Sequence, residues 1–122
     1  MLPVREYAFY GVDISEGLAH MDHNRELYAR FLAQFPQDDS VARLAKALEQ
    51  GDAKEAFFCA HTLKGLSAQL GLTRLCAQAE ALCELLRAQT PEALHQARPL
   101  FSCLLRAHRQ AVRGIAKLSS LS

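Results

Sequence analysis

The run Asp52-Ala53-Lys54-Glu55-Ala56-Phe57-Phe58-Cys59-Ala60-His61-Thr62-Leu63-Lys64-Gly65-Leu66-Ser67-Ala68-Gln69-Leu70-Gly71 sets how the rest of the chain is read. Its apolar residues recur at intervals of three and four, the period of a helix with one buried face. Asp52 and Glu55 have the spacing of a capping box, with Asp in place of the usual Ser or Thr. The helix therefore starts after Asp52, and Gly71 supplies a left-handed stop after Leu70. With His61 set at zero on a wheel advancing about 100° per residue, Cys59, Leu63, Leu66 and Leu70 cluster near about 140–200°. That is the core stripe. His61, Lys64, Gly65 and Ala68 occupy the other face, with Phe57 and Phe58 at its margins.

The same period extends outward in both directions, so the chain reads as all helix. Towards the N-terminus, Asp38 or Ser40 opens a helix through Val41, Leu44, Ala45 and Leu48 that closes at Gln50-Gly51. Before it, Asp22 is the expected cap of a helix whose stripe is Leu27, Phe31, Leu32 and Phe35, ended by Pro36. A short helix follows Asp13, interrupted by Gly17, and residues 1–11 form an extended or loosely docked lead-in. Towards the C-terminus, Thr73 caps a helix carrying Leu75, Ala79, Leu82 and Leu86 inward. Thr90-Pro91-Glu92 starts the last one, since Pro is tolerated at a first helical position. Pro99 is expected to kink or split that helix near Arg98. The expectation is an all-α, antiparallel four-helix bundle over residues 13–118 with an additional short N-terminal helix. A length of 122 residues holds this as a single domain, and the Met1 start favours a free-standing protein.

Composition narrows the function classes. Half the residues are hydrophobic and 22% are charged, which supports a packed core and excludes a disordered chain. No 18-residue uncharged apolar stretch occurs, and the start lacks a secretory signal, so a soluble cytoplasmic protein is expected with no membrane partner. Cys59, Cys76, Cys83 and Cys103 form no C-x-x-C pair and are read as reduced core or boundary residues. The formal charge of +1 hides an asymmetry: residues 1–60 carry −4, residues 61–122 carry +5, and no acid follows Glu92. The C-terminal arginines read first as a solvated helix face.

The outer face of the 53–70 helix breaks local rules together, which marks a working surface. Gly65 sits mid-helix at a cost of ~1 kcal/mol against Ala. Phe57 and Phe58 set aromatic area beside polar groups. Lys64 lies one turn from His61 and disfavours protonation of the ring. A neutral imidazole is a nucleophile near physiological pH. A cation one turn away can pair with phosphoryl oxygens, and a bare glycine lets another backbone approach. A histidine that accepts a phosphoryl group from a docked protein satisfies all three features.

Ala60-His61-Thr62-Leu63-Lys64-Gly65, followed six residues later by Gly71, resembles the signature of histidine-containing phosphotransfer (HPt) domains. Asp13 to Phe35 and the helix from Thr73 are similar to the family's neighbouring sections, so the resemblance runs from Asp13 to near Leu105. It implies a phosphorelay carrier in signal transduction. Such a carrier accepts a phosphoryl group on His61, through Nε2, from a receiver-domain aspartate and passes it to another. Lys64 would help neutralise the phosphoryl oxygens, and Gly65 would give the partner clearance. Phe57, Phe58, Gly65 and Ala68 would form the docking surface. The implied partners are response-regulator receiver domains and hybrid sensor histidine kinases. Mg²⁺ would belong to the receiver, so this chain needs no cofactor and no nucleotide site of its own, and is a relay intermediate rather than an enzyme. One position departs: the family often has Gln or Glu 22 residues beyond the histidine, hydrogen-bonding the ring or phosphate, where this chain has Cys83. Gln69, Gln78, Glu80 and Glu84 are the candidates to take over that hydrogen bond, although the wheel puts Glu80 and Glu84 largely outward.

Three other readings compete. A non-catalytic helical adaptor that docks receiver or kinase domains would use the same surface, but His61 and Lys64 argue against it. A metal site at His20-x-x-His23 is disfavoured by the helix junction expected at Gly17 and Asp22, so no metal is assigned. Arg106, Arg109 and Arg113 share a helix face, yet lack an aromatic platform, so nucleic acid is not expected as a partner. The chain is expected to be a monomer.

Overall fold

The computed structural model describes residues 7–120, and there the chain is helical, with no strand among the described residues. Among the described residues the helices from residue 14 on are, in order, α1 (Ile14–Ala19), α2 (Arg25–Gln34), α3 (Ser40–Gln50), α4 (Ala53–Leu70), α5 (Thr73–Leu86) and α6 (Pro91–Ser120), with a 3₁₀ turn at Phe35–Gln37 after α2. α4 packs between α3 and α5, and α5 packs on α6. α6 reaches back to α2 and α3, while α1 lies against α4. One core runs through all of them, centred on Leu44, Leu63, Leu75, Leu82, Leu86 and Leu104.

The ends of α4 form as the sequence dictates. The Asp52 carboxylate accepts the Glu55 N–H at 3.1 Å, satisfying one of the orphan donors of the first turn. Glu55 does not return the bond; its carboxylate takes the Arg43 guanidinium of α3 at 3.2 Å instead. Only half of the capping box exists. At the other end Gly71 adopts φ 73°, and a Cβ there would lie 2.3 Å from the Asp13 carbonyl oxygen. That close approach lets Asp13 N–H donate to Gly71 O at 2.7 Å and Thr73 N–H to Gly11 O at 2.9 Å. Val12 and Leu72 thereby form a β-bridge that pins the chain before α1 to the α4–α5 corner. Residues 7–11 are thus neither extended nor loose: Tyr7 is buried and the backbone turns back on itself through Tyr10 N–H to Tyr7 O. Residues 1–6 of the expected lead-in lie outside the described residues.

Several expectations fail for identifiable reasons. Gly17 does not interrupt α1 but lies within it, buried, because a Cβ would sit 2.3 Å from Tyr28 Cε1 and 2.7 Å from Leu70 O. Tyr28 fills that space and donates its hydroxyl to Leu70 O at 2.8 Å, giving a partner to a carbonyl at the end of α4. Burial holds its phenol above the usual range. The inward stripe of α2 is therefore Tyr28 and Leu32 leading to Phe35, with Leu27 half-buried and Phe31 43% exposed. Asn24, not Asp22, caps α2 by accepting the Leu27 N–H, since Asp22 and His23 have positive φ. Leu72 rather than Thr73 is the N-cap of α5. Leu66 is only half-buried, and Ala56, Ala60 and Ser67 join the core face of α4. Ser67 is accommodated because its hydroxyl donates to Leu63 O at 2.7 Å. α6 does not split at Pro99. Pro99 is exposed, as is His95, so the carbonyl that loses its partner faces water.

Candidate functional site

His61 stands in the middle of α4, whose 18 residues are gripped on the opposite face by α3 and α5. Packing of Cys59, Ala60 and Leu63 fixes the helix about its axis and turns His61 to solvent. Among the described residues the ring meets one other aromatic ring, in a tilted approach to Phe57 one turn earlier, with centroids 6.1 Å apart at 41°. Neither ring nitrogen has a hydrogen-bond partner among the described residues. An imidazole in that state offers a lone pair to an incoming electrophile.

Lys64, Gly65 and Ala68 continue the face. Lys64 is half-buried and forms no ion pair within 4 Å among the described residues. Its charge is felt on α5: the Glu84 carboxyl is lowered, first by its bond to Arg87 and further by Lys64. Burial raises the Cys83 thiol, while Arg87 and Lys64 oppose that rise. A Cβ at Gly65 would meet nothing within 4 Å, so the surface beside His61 is open. Beyond Gly65 lies a shallow groove whose other wall is Phe31, Phe35 and Asp38.

Phe57 is half-buried and Phe58 is 55% exposed. Each carries a guanidinium from a neighbouring helix: Arg43 lies 6.0 Å from the Phe58 centroid, and Arg87 5.6 Å from that of Phe57. Each arginine is also held by a carboxylate, Arg43 by Glu55 at 3.2 Å and Arg87 by Glu84 at 2.9 Å. Two cations thus frame the aromatic pair next to His61. Sequence reasoning missed both. Arg43 meets Phe58 only once α3 packs on α4, so no spacing announces it. Glu84 and Arg87 do have the i,i+3 spacing of a helix pair, which was the one available signal.

Gln69, Gln78 and Glu80, the candidates to stand in for the family's Gln or Glu at position 83, point to different places. Gln69 is exposed on the groove beyond Gly65, and its carbonyl lies 3.2 Å from His20 Nδ1. Gln78 faces the groove between α5 and α6 with Arg106 and Gln110. Glu80 is exposed and borders a cleft shared with Ala68 and Thr73. The structure does not bring them together. Glu84, the remaining candidate, is exposed and held by Arg87, and its carboxyl also feels Lys64. Cys83 itself is buried.

No group of three or more His, Cys, Asp or Glu residues arranged to hold a metal occurs among the described residues. His20 and His23 do not share a helical turn, because α1 ends at Ala19 and His23 has φ 59°. The four cysteines are free thiols; Cys59 and Cys83 are buried, and burial pushes Cys59 up to about 11. No helix is long and apolar enough to cross a membrane among the described residues.

The family model described as the Hpt domain matches residues 26–114. Its span starts inside α2, later than Asp13, and ends within α6 beyond Leu105, so it takes in α3, α4 and α5, the helix of His61 and the two that grip it. Comparison with curated proteins and with solved structures gives no match. With most of its length matched and its described structure mainly helical, the chain belongs to the Hpt domain family, the phosphotransfer carriers that work with receiver domains and kinases in two-component phosphorelays.

Proposed function

We propose that His61 is the phospho-acceptor of a relay between two receiver aspartates. The observation that carries this is the imidazole itself: solvent-exposed, on a rigid helix, with no hydrogen-bond partner on either nitrogen among the described residues. In the forward step the Nε2 lone pair attacks the phosphorus of an aspartyl phosphate, a P–N bond forms, and the P–O bond to aspartate breaks. The carboxylate leaves with the electron pair. The reverse geometry returns the phosphoryl group to the aspartate of a second receiver. Because the transition state is loose, its charge rests on the peripheral oxygens, and catalysis is mainly positioning plus electrostatic stabilisation.

Lys64 supplies that stabilisation from one turn away, with an ammonium not committed to an ion pair among the described residues. Gly65 leaves the space through which the receiver closes on the ring. Phe57, Phe58 and Ala68 provide apolar docking area, and Arg43 and Arg87 set a cationic rim suited to the acidic pocket of a receiver. Mg²⁺ and the catalytic carboxylates sit on the receiver in this scheme. We assign no contact with His61 to Gln69, Gln78 or Glu80. The short links Gly51-Asp52 and Gly71-Leu72 support an antiparallel bundle of α3 to α6, and one continuous core supports a single unit. The proposed setting is a cytoplasmic monomer.

The test uses a receiver phosphorylated by a small acyl phosphate with Mg²⁺. Mixed with the protein, it should lose its label to the protein, and a second, unlabelled receiver should then take the label up. Stable binding with no movement of label would replace relay by the adaptor reading.

A further inference from the structure

We propose that the groove between α5 and α6, lined by Arg74 and Arg106, with Arg113 further along the same face of α6 and Phe9 beyond Arg74, docks an acidic polypeptide segment that carries an apolar residue. Arg106, Gln110 and Arg113 recur at i, i+4 and i+7 on α6 and so share one face over about 10 Å of helix. Arg74 joins them from α5, donating to Gln110 Oε1 at 3.0 Å and to Phe9 O at 2.8 Å. Arg74 therefore ties the N-terminal aromatic segment to the basic stripe. This is the juxtaposition that the sequence, with Phe9 and Arg106 far apart, did not disclose.

The groove has a volume of about 360 Å³, with Gln78, Ala107 and Gln110 among its lining and Arg74 and Arg106 at its rim. Arg106 and Arg113 are exposed and make no hydrogen bond or ion pair among the described residues. No acidic residue follows Glu92, so α6 offers them no partner of its own from that point on. Phe9 is 69% exposed. The guanidinium forks of Arg106 and Arg113, without a partner among the described residues, select carboxylates, which they bind bidentately. The Gln78 carboxamide and the Gln110 amide nitrogen suit the backbone of an extended chain, and the exposed Phe9 beyond Arg74 suits an apolar side chain.

Nucleic acid fits less well. Phe9 and Tyr10 meet edge-on, with centroids 5.2 Å apart at 89°, and so present no parallel faces on which successive bases could stack. A membrane fits less well too, since Arg74 and Arg106 line a concavity and, among the described residues, Phe9 is the one large exposed apolar side chain beside them. No residue named here belongs to the His61 face, so the inference stands apart from the phosphotransfer reading.

The probe is a fluorescein-labelled dodecapeptide of Asp and Glu with a central Leu pair, titrated against the full chain by anisotropy at about 50 mM salt. Saturable binding is expected, absent for the Asn/Gln counterpart. Arg106→Glu with Arg113→Glu should weaken it at least about tenfold. Phe9→Ser should weaken it by a smaller factor that persists at high salt, and His61→Gln should leave it unchanged. Arg106 and Arg113 are exposed and hold no partner among the described residues, so an unaltered thermal transition should accompany the double variant. Amide shifts on titration should fall on α5 and α6. No saturable binding, equal binding by the double variant, or shifts confined to α4 would overturn the proposal. Tighter binding of a twelve-residue oligothymidine, or of vesicles of phosphatidylcholine and phosphatidylserine, would overturn it as well.

Discussion

Replacing Gly65 by Gln should make the protein more stable and a worse relay. The Cβ built at this position meets nothing within 4 Å, so the new side chain enters open space without strain. Mid-helix glycine costs about 1 kcal/mol against Ala, and Gln costs about 0.4, leaving a gain near 0.5 kcal/mol. For a chain of 122 residues that raises the thermal midpoint by about 2 °C. Residues 61 and 65 lie one turn apart, with Cβ atoms about 5–6 Å from each other. The carboxamide therefore occupies the volume through which a receiver must pass to bring its phosphorus within about 3–3.5 Å of the ring nitrogen. A loss of at least about tenfold in transfer rate, 1.4 kcal/mol of barrier, is expected. Far-ultraviolet circular dichroism reads the midpoint, and rapid-quench transfer from a labelled receiver reads the rate. A lowered midpoint would mean that the face is covered. Transfer at the native rate would mean that clearance at Gly65 plays no part.

Gly17→Ala should act in the opposite direction despite gaining helix propensity, because its Cβ meets the Tyr28 ring at 2.3 Å and the Leu70 carbonyl at 2.7 Å. Urea unfolding should show a net loss of about 2 kcal/mol, and an unchanged midpoint would refute the packing of Tyr28 against α1. Lys64→Ala should leave the fold intact and slow phosphohistidine formation by about tenfold, as expected for losing a charged bond of roughly 1.5 kcal/mol; native rates would remove Lys64 from the mechanism. Burial, with help from Arg109, holds His108 below its usual value of 6.5 against the opposing pull of Asp38. The unfolded chain then takes up a proton that the fold resists, so stability should decline as pH falls through 6.5 and level off once the folded group titrates. His108→Gln should flatten that decline, and an identical pH profile would show that the decline arises elsewhere.

The helix that carries His61 was legible because its signals are local. Asp52 and Gly71 act within a few residues of themselves, and the face assignment follows from helical period alone. What the sequence hid depends on contacts between distant segments. Leu27 and Phe31 look more apolar than Tyr28, yet Tyr28 is the buried one, because α2 lies where the end of α4 needs a hydroxyl donor. Gly17 reads as a helix breaker until the ring it accommodates is known. Pro99 reads as a break, but its exposed position lets water take the orphan carbonyl. At the site, His61, Lys64 and Gly65 were readable because they share one helix. Arg43 and Arg87 were not, since each reaches its phenylalanine across a helix–helix boundary. The same holds for Phe9 beside Arg74, a pairing made by the β-bridge at Val12 and Leu72.

The most direct examination of His61 is ³¹P and ¹⁵N NMR of the protein after incubation with a phosphorylated receiver and Mg²⁺. One phosphoramidate signal should appear, coupled to Nε2 of His61, stable in base, lost in acid and missing in His61→Gln. A phosphoryl group on any other residue, or none while the receiver is fully charged, would contradict the central claim.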